Sequence, residues 1–285
     1  GLHNFGQDFV QTIQQIEIYR GASGAHFGPS AIGGAINFIT DVDYANSYSV
    51  SGSAYNQTID TNYTKITDNG WHLNFAGSTT ESKTGSARAK GEEEDAVDNK
   101  QININVKKWL SDNLKFRSTI YSRQTLADYD GSATNEKGYT ADDKMYAIQS
   151  GFDYKKDNKE DSLTLHYNKY DREYNENGTY LDNYYSESLV AKGEREIKYL
   201  KKLSYGLGSE YKYDWGNFTN QGGYYPLVQV DNHVYDLGVF ANAGFKYDDS
   251  TTLSAFVRAD EHKTTELNGT YKLNINKLYK KFDFN

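Results

Sequence analysis

The chain has 285 residues, a formal net charge of −8, 26 tyrosines and no cysteine. The acidic balance, with no basic stripe or arm, excludes the nucleic-acid-binding class, and the missing cysteines exclude a disulfide scaffold or a thiolate metal site. A mean hydropathy of −0.82 and the absence of any run of about 18 apolar residues exclude transmembrane helices, but not a membrane β-barrel, whose apolar residues sit at every second position.

The first predicted element is a short strand over 16–19. A turn-rich link, "RGASGAHFG", leads to "AIGGAINFIT", a glycine turn that feeds a second strand. There Gly33 and Gly34 permit positive φ and close backbone approach. Gly21, Gly24 and Gly28 lack the G-x-G-x-x-G spacing and no G-K-[ST] follows, so the stretch is no phosphate loop.

From Ser47 onward, period-two alternation dominates. Strands are expected near 48–56, 60–67, 71–81, 100–110, 113–124, 144–155, 162–172, 187–201, 204–215, 232–247, 250–261 and 266–276, and "YKKFDFN" looks like the start of another. In "NLKFRSTIYSR", Leu114, Phe116 and Ile120 share one face, with Lys115, Arg117, Tyr121 and Arg123 on the other. In "TLSAFVRAD", Leu253, Ala255 and Val257 oppose Ser254, Arg258 and Asp260. Each segment thus has one apolar and one polar face.

The connections alternate as well. Short turns fall at 67–70, 110–113, 155–162, 201–204 and 248–251, and long polar loops near 81–99, 124–144, 172–187, 215–231 and 261–268. Short turns at one end and long loops at the other are the outer-membrane barrel pattern. Tyrosines at strand ends (Tyr121, Tyr154, Tyr167, Tyr213, Tyr235, Tyr247) suit interfacial girdles, where ring and hydroxyl straddle lipid and water.

The opening stretch resembles a known family. TonB-dependent outer-membrane receptors end their plug domain with a pattern close to I-E-V-x-R-G-x-x-S-x-x-Y-G-x-x-A-I-G-G-x-I-N-I-I-T. Here it reads "IEIYRGASGAHFGPSAIGGAINFIT", with Phe27 where Tyr is usual. The match includes Glu17, Arg20, Gly21, Gly28, Gly33, Gly34 and Asn37 and covers under a tenth of the chain. The resemblance implies a plug filling the lumen of a 22-stranded barrel. The twelve strands expected here would leave an open edge in lipid, so the chain reads as a fragment. Residues 1–43 would be the carboxy-terminal part of a plug, and 44–285 the amino-terminal half of an all-β, antiparallel transmembrane barrel.

What the family does is implied in the same way. The expected activity is energy-coupled import of a large scarce nutrient across a Gram-negative outer membrane, driven by a TonB-type partner whose contact region lies outside this chain. Loop placement and acidic Tyr-Asp loops look most like the vitamin B12 (cobalamin) receptors, with siderophore or haem receptors as the alternative. Glu17 and Arg20 are implied to make buried polar contacts between plug and wall; an ordinary surface pair is the other reading. No cofactor is required, but Asp128, Asp130, Asp142, Asp171 and Asp182 form a candidate calcium set. Calcium takes six to eight oxygens, often carboxylates from neighbouring loops; a solvated acidic loop is the plainer alternative. The six histidines show no metal-ligand spacing, and no nucleophile–base pattern appears, so no enzyme is expected. A passive porin would not need the plug pattern. A soluble β-rich module would not sort its loops by length.

Overall fold

The computed structural model describes residues 15–20, 34–39, 46–85, 94–128, 138–176, 179–199, 202–220 and 228–277. Gly21, Gly28, Gly33 and Asp130 lie outside these, as do the expected 43/44 domain boundary and the strand start at 279–285. Among the described residues there is no helix.

Two strands come first: β1 (Gln15–Arg20) and β2 (Gly34–Ile39) pair antiparallel as a two-stranded sheet. Twelve more form one antiparallel sheet in which every strand pairs with its chain neighbours. They are β3 (Ser47–Gly52), β4 (Asn56–Ile66), β5 (Trp71–Gly85), β6 (Glu94–Ser111), β7 (Leu114–Asp128), β8 (Tyr139–Lys156), β9 (Lys159–Glu176), β10 (Thr179–Tyr199), β11 (Leu203–Asn220), β12 (Val228–Lys246), β13 (Thr251–His262) and β14 (Thr265–Lys277). β3 and β14 are its edges.

The number of strands in this sheet matches the sequence expectation; their extents do not. β9 runs to Glu176 and β10 starts at Thr179, so most of the expected long loop at 172–187 is strand. The loop expected at 261–268 reduces to a connection between His262 and Thr265. The apolar signal stops where these strands leave the greasy zone, but the ladder continues. Asp171 still pairs with Tyr185 and Arg172 with Tyr184. Polar residues on both faces suffice once each backbone group finds a partner.

Burial in the twelve-stranded sheet is inverted relative to a water-soluble protein. Asn74, Asn99, Asn103, Asn105, Arg123 and Arg258 are buried, while Ile102, Ile148, Leu165, Leu207, Val239 and Val257 are exposed. Register places each set on one face throughout. Asn103 pairs with Tyr121 and Ala76, and Ile102 with Ser122 and Gly77. A sheet curved with its polar face inward crowds the polar side chains and fans the apolar ones apart.

The apolar outer band has a constant height. Counted from each short turn, it reaches Tyr146 on β8, Tyr167 on β9, Leu189 on β10 and Leu237 on β12. Charged residues then take over at Lys100, Lys144, Lys169 and Glu187. Ten residues at about 3.3 Å each, on strands tilted about 40°, span about 25 Å, the height of an outer-membrane apolar band. One outward ion pair breaks the band near its lower margin, where Arg195 Nη2 donates to Asp161 Oδ2 at 2.8 Å. Of the expected girdle tyrosines, Tyr154, Tyr167, Tyr213 and Tyr235 share the outer face. Tyr121 instead shares the inner face with Asn103, and its hydroxyl donates to Gln101 at 3.2 Å.

Candidate functional site

The plug-like motif folds back on itself. Glu17 stands opposite Asn37 in the β1–β2 ladder, and Arg20 opposite Gly34. Gly34 has φ 139°, a value that L side chains rarely adopt. Asn37 Nδ2 donates to Glu17 Oε2 at 3.0 Å, and the Tyr19 hydroxyl donates to the same oxygen at 2.9 Å. That hydrogen bond to a carboxylate holds the Tyr19 phenol above its ordinary pKa. The bonds from Asn37 and Tyr19 to Glu17 lie within the hairpin. Ile16 and Ile18 share the opposite side with Ile36 and Phe38.

The inner face of the large sheet divides into two walls. On β4 to β7 it is rich in amides and hydroxyls, with Arg117 and Arg123 on β7. Asn99 Nδ2 donates to Thr125 Oγ1 at 2.7 Å, and Asn105 Nδ2 to Asn74 Oδ1 at 3.2 Å. From β10 to β13 it is ionic. Lys192 pairs with Glu194 at 3.0 Å and Lys212 with Asp214 at 2.6 Å. Arg258, fully buried, donates through Nε to Asp260 at 2.7 Å and through Nη2 to Glu210 at 2.9 Å. Gly238 makes this possible, because a Cβ there would stand 2.2 Å from Arg258 Nη2.

Above the apolar band the inner face carries an aromatic–arginine cluster. Asp143 is fully buried and accepts from Arg172 Nε, from Arg172 Nη2 at 2.6 Å and from the Tyr170 hydroxyl at 3.2 Å. The Arg172 guanidinium also lies 5.8 Å from the Tyr174 ring centre. Tyr174 meets Tyr184 edge-on at 6.0 Å, and Tyr184 packs on Phe218 at 4.6 Å. Such a wall presents flat π-faces beside a fixed cation, suited to a large ligand with aromatic or conjugated surface.

Of the candidate calcium residues, Asp128, Asp142, Asp171 and Asp182 are described. Asp128, Asp142 and Asp171 share the outer face, since Asp128 pairs with Thr140 and Lys144 with Asp171. Asp182 pairs with Tyr174 on the inner face. Lys144 Nζ sits 2.9 Å from Asp142 Oδ2, and Asn183 Nδ2 donates to Asp171 at 2.8 Å. Among the described residues no cluster of three or more metal-ligating side chains is assembled. Asp143, set beside Asp142 in the same expected loop, points to the other face and takes Arg172 as its partner.

Sequence reasoning missed both buried ion clusters. Arg258 and Asp260, two apart on a polar face, carried a local signal for one. Glu210 joins them from 48 residues away, which only strand register reveals.

No family model matches the chain, and no curated protein matches it. Solved structures do. The siderophore receptor PiuA from Acinetobacter baumannii superposes with a TM-score of 0.72 at 13% identity, over 93% of this chain and 51% of that one. A ferric enterobactin receptor (PfeA) from Pseudomonas aeruginosa, in complex with enterobactin, gives 0.75 at 15%, over 96% and 48%. The copper transporter OprC gives 0.74 at 11%, over 95% and 48%. The chain thus spans about half the length of these structures. At such identities the likeness is one of fold: an antiparallel transmembrane-barrel wall of twelve strands.

Proposed function

We propose that residues 1–43 are the end of a plug domain and 44–285 the first half of the barrel of a TonB-dependent outer-membrane receptor. The whole protein would actively import a large, scarce nutrient, with energy from a TonB-type partner. One observation carries this reading: the motif-bearing β1–β2 hairpin precedes a sheet with an inverted, ten-residue-high apolar band. A passive porin gives no reason for the hairpin, and a soluble module gives none for the band.

Of the two substrate classes, an iron chelate with aromatic surface fits the mouth better than cobalamin. The Tyr174–Tyr184–Phe218 stack and the Arg172 guanidinium on the inner face support that choice. Cobalamin rests on loop resemblance alone.

The test uses the full-length protein in its membrane. Ferric catecholate chelates and cobalamin are titrated separately, and uptake is followed with the energy-coupling partner present and deleted. Tight binding of a ferric chelate and uptake that stops with the partner's deletion are expected. Cobalamin binding alone would select the other substrate. Uptake indifferent to the partner would remove the active-transport reading.

A further inference from the structure

We propose that Asp143 sets the charge selectivity of the mouth, so that the aromatic wall takes an iron chelate of little or no net charge and disfavours a trianionic one. The inference deepens the iron-chelate reading above and rests on it.

Strand register creates the controlling pair. Asp143 and Arg172 are direct cross-strand partners on β8 and β9. The Asp143 carboxylate is fully buried and accepts from Arg172 Nε and Nη2, while Arg172 Nη1 donates to the Tyr174 hydroxyl at 3.3 Å. Along β9 the Tyr170 and Tyr174 ring centres flank the guanidinium at 5.4 and 5.8 Å. Each guanidinium nitrogen therefore donates within the wall, and the forked carboxylate cancels the charge.

The other inward charges at this level leave no surplus of cation. Lys212 sits 2.6 Å from Asp214, and Arg123 is only 3% exposed. Asp182, the ladder partner of Tyr174, has a buried Oδ1 that no hydrogen bond satisfies. With Glu176, four carboxylates stand against three cations on the inner face of β7 to β11 here. Tyr184 is 43% exposed, so a ligand meets aromatic surface where negative charge is in excess. A tris-catecholate of Fe(III) is trianionic: its rings suit the wall and its charge does not. A tris-hydroxypyridinonate of Fe(III) has similar flat rings and no net charge. Selectivity then comes from a repulsion set beside an attraction.

The experiment measures equilibrium binding of these two chelates to the full-length receptor at low and high salt. Wild type is expected to prefer the neutral chelate about tenfold, and its affinity for the trianionic one should rise as salt screens the repulsion. Asp143→Asn keeps the side-chain shape and leaves the Arg172 charge uncompensated. The preference should then fall about tenfold, and salt should weaken trianionic binding instead. Adding Arg172→Gln to Asp143→Asn should restore the preference, which a merely structural role for Asp143 would not do. If Asp143→Asn fails to insert, Asp182→Asn decides, with an expected fall in preference of about threefold. A trianionic chelate held by wild type as tightly as the neutral one, or a preference unmoved by either carboxylate substitution, overturns the charge selectivity and leaves the receptor reading standing. Binding of neither chelate by wild type would overturn the iron-chelate reading itself.

Discussion

Asn37 donates to Glu17 across the β1–β2 ladder at 3.0 Å, so two polar positions twenty residues apart in the motif meet as direct cross-strand partners. The motif thereby specifies a hairpin register. Asn37→Asp would set two carboxylates face to face and remove the amide donor. Like charges directly opposite destabilise a strand pair, by about 0.2–1 kcal/mol, and the lost hydrogen bond adds about 1 kcal/mol. The expected outcome is faster proteolysis of the hairpin in the full-length protein, with barrel assembly unchanged. Asn37→Gln should fall between the variant and wild type.

Tyr19 gives the same hairpin a pH dependence. Its folded pKa is raised above the ordinary phenol value near 10 because its hydroxyl donates a hydrogen bond to the Glu17 carboxylate. The bond's contribution is therefore fully present below pH 10 and fades as pH rises through the folded value. Wild type and Tyr19→Phe should differ in hairpin protease resistance at neutral pH and converge in strong alkali. A difference that persists unchanged once the phenol has ionised would show that the hydroxyl acts otherwise.

Val257 and Ser254 lie on opposite faces of one strand, Val257 outward and 54% exposed. Arg at Val257 should cost roughly 2–4 kcal/mol near the bilayer midplane. Arg at Ser254 faces the lumen and should cost about 1 kcal/mol or less. Denaturant unfolding of the full-length protein from lipid vesicles measures both. Equal tolerance would contradict the membrane assignment.

Gly238 and Arg258 should show strong coupling. Gly238→Ala puts a Cβ 2.2 Å from Arg258 Nη2 and 2.6 Å from Asp260 Oδ1, which displaces the guanidinium from both carboxylates. Breaking a buried charge network by loss of one partner costs about 3–5 kcal/mol. Gly238→Ala and Arg258→Ala should each fall in that range, and the double variant should cost far less than their sum. Additive losses would mean that the glycine serves another contact.

Much of this architecture is legible in the residues, and for a physical reason. Alternation such as Leu253, Ala255, Val257 against Ser254, Arg258, Asp260 depends only on neighbours in sequence, so strand number and facing follow from it. The ends of β9 and β10 do not follow, because hydropathy reports the lipid boundary and the ladder runs past it. Asp142 and Asp143 show the other limit. They read as one acidic pair, yet pleating sends them to opposite faces. Asp143 then finds Arg172, 29 residues away, a partner fixed only by register.

Lys144 makes the calcium question testable. Asp142, Asp171 and Glu173 share the outer face of β8 and β9 around it, and its ammonium already bonds Asp142 at 2.9 Å. A divalent ion drawn to these acids has to displace that ammonium, whereas Lys144→Ala leaves the carboxylates uncompensated. Calcium takes six or more oxygens, which three carboxylates, backbone carbonyls and water can supply. If calcium orders the outer loops, it should strengthen substrate binding in the full-length receptor, and more so in Lys144→Ala than in wild type. Asp171→Asn should weaken the effect in both. The measurement is ligand affinity with and without a chelator, for the iron chelate and for cobalamin. Affinities indifferent to the chelator in wild type and Lys144→Ala alike would discard the calcium site and leave the substrate assignment standing.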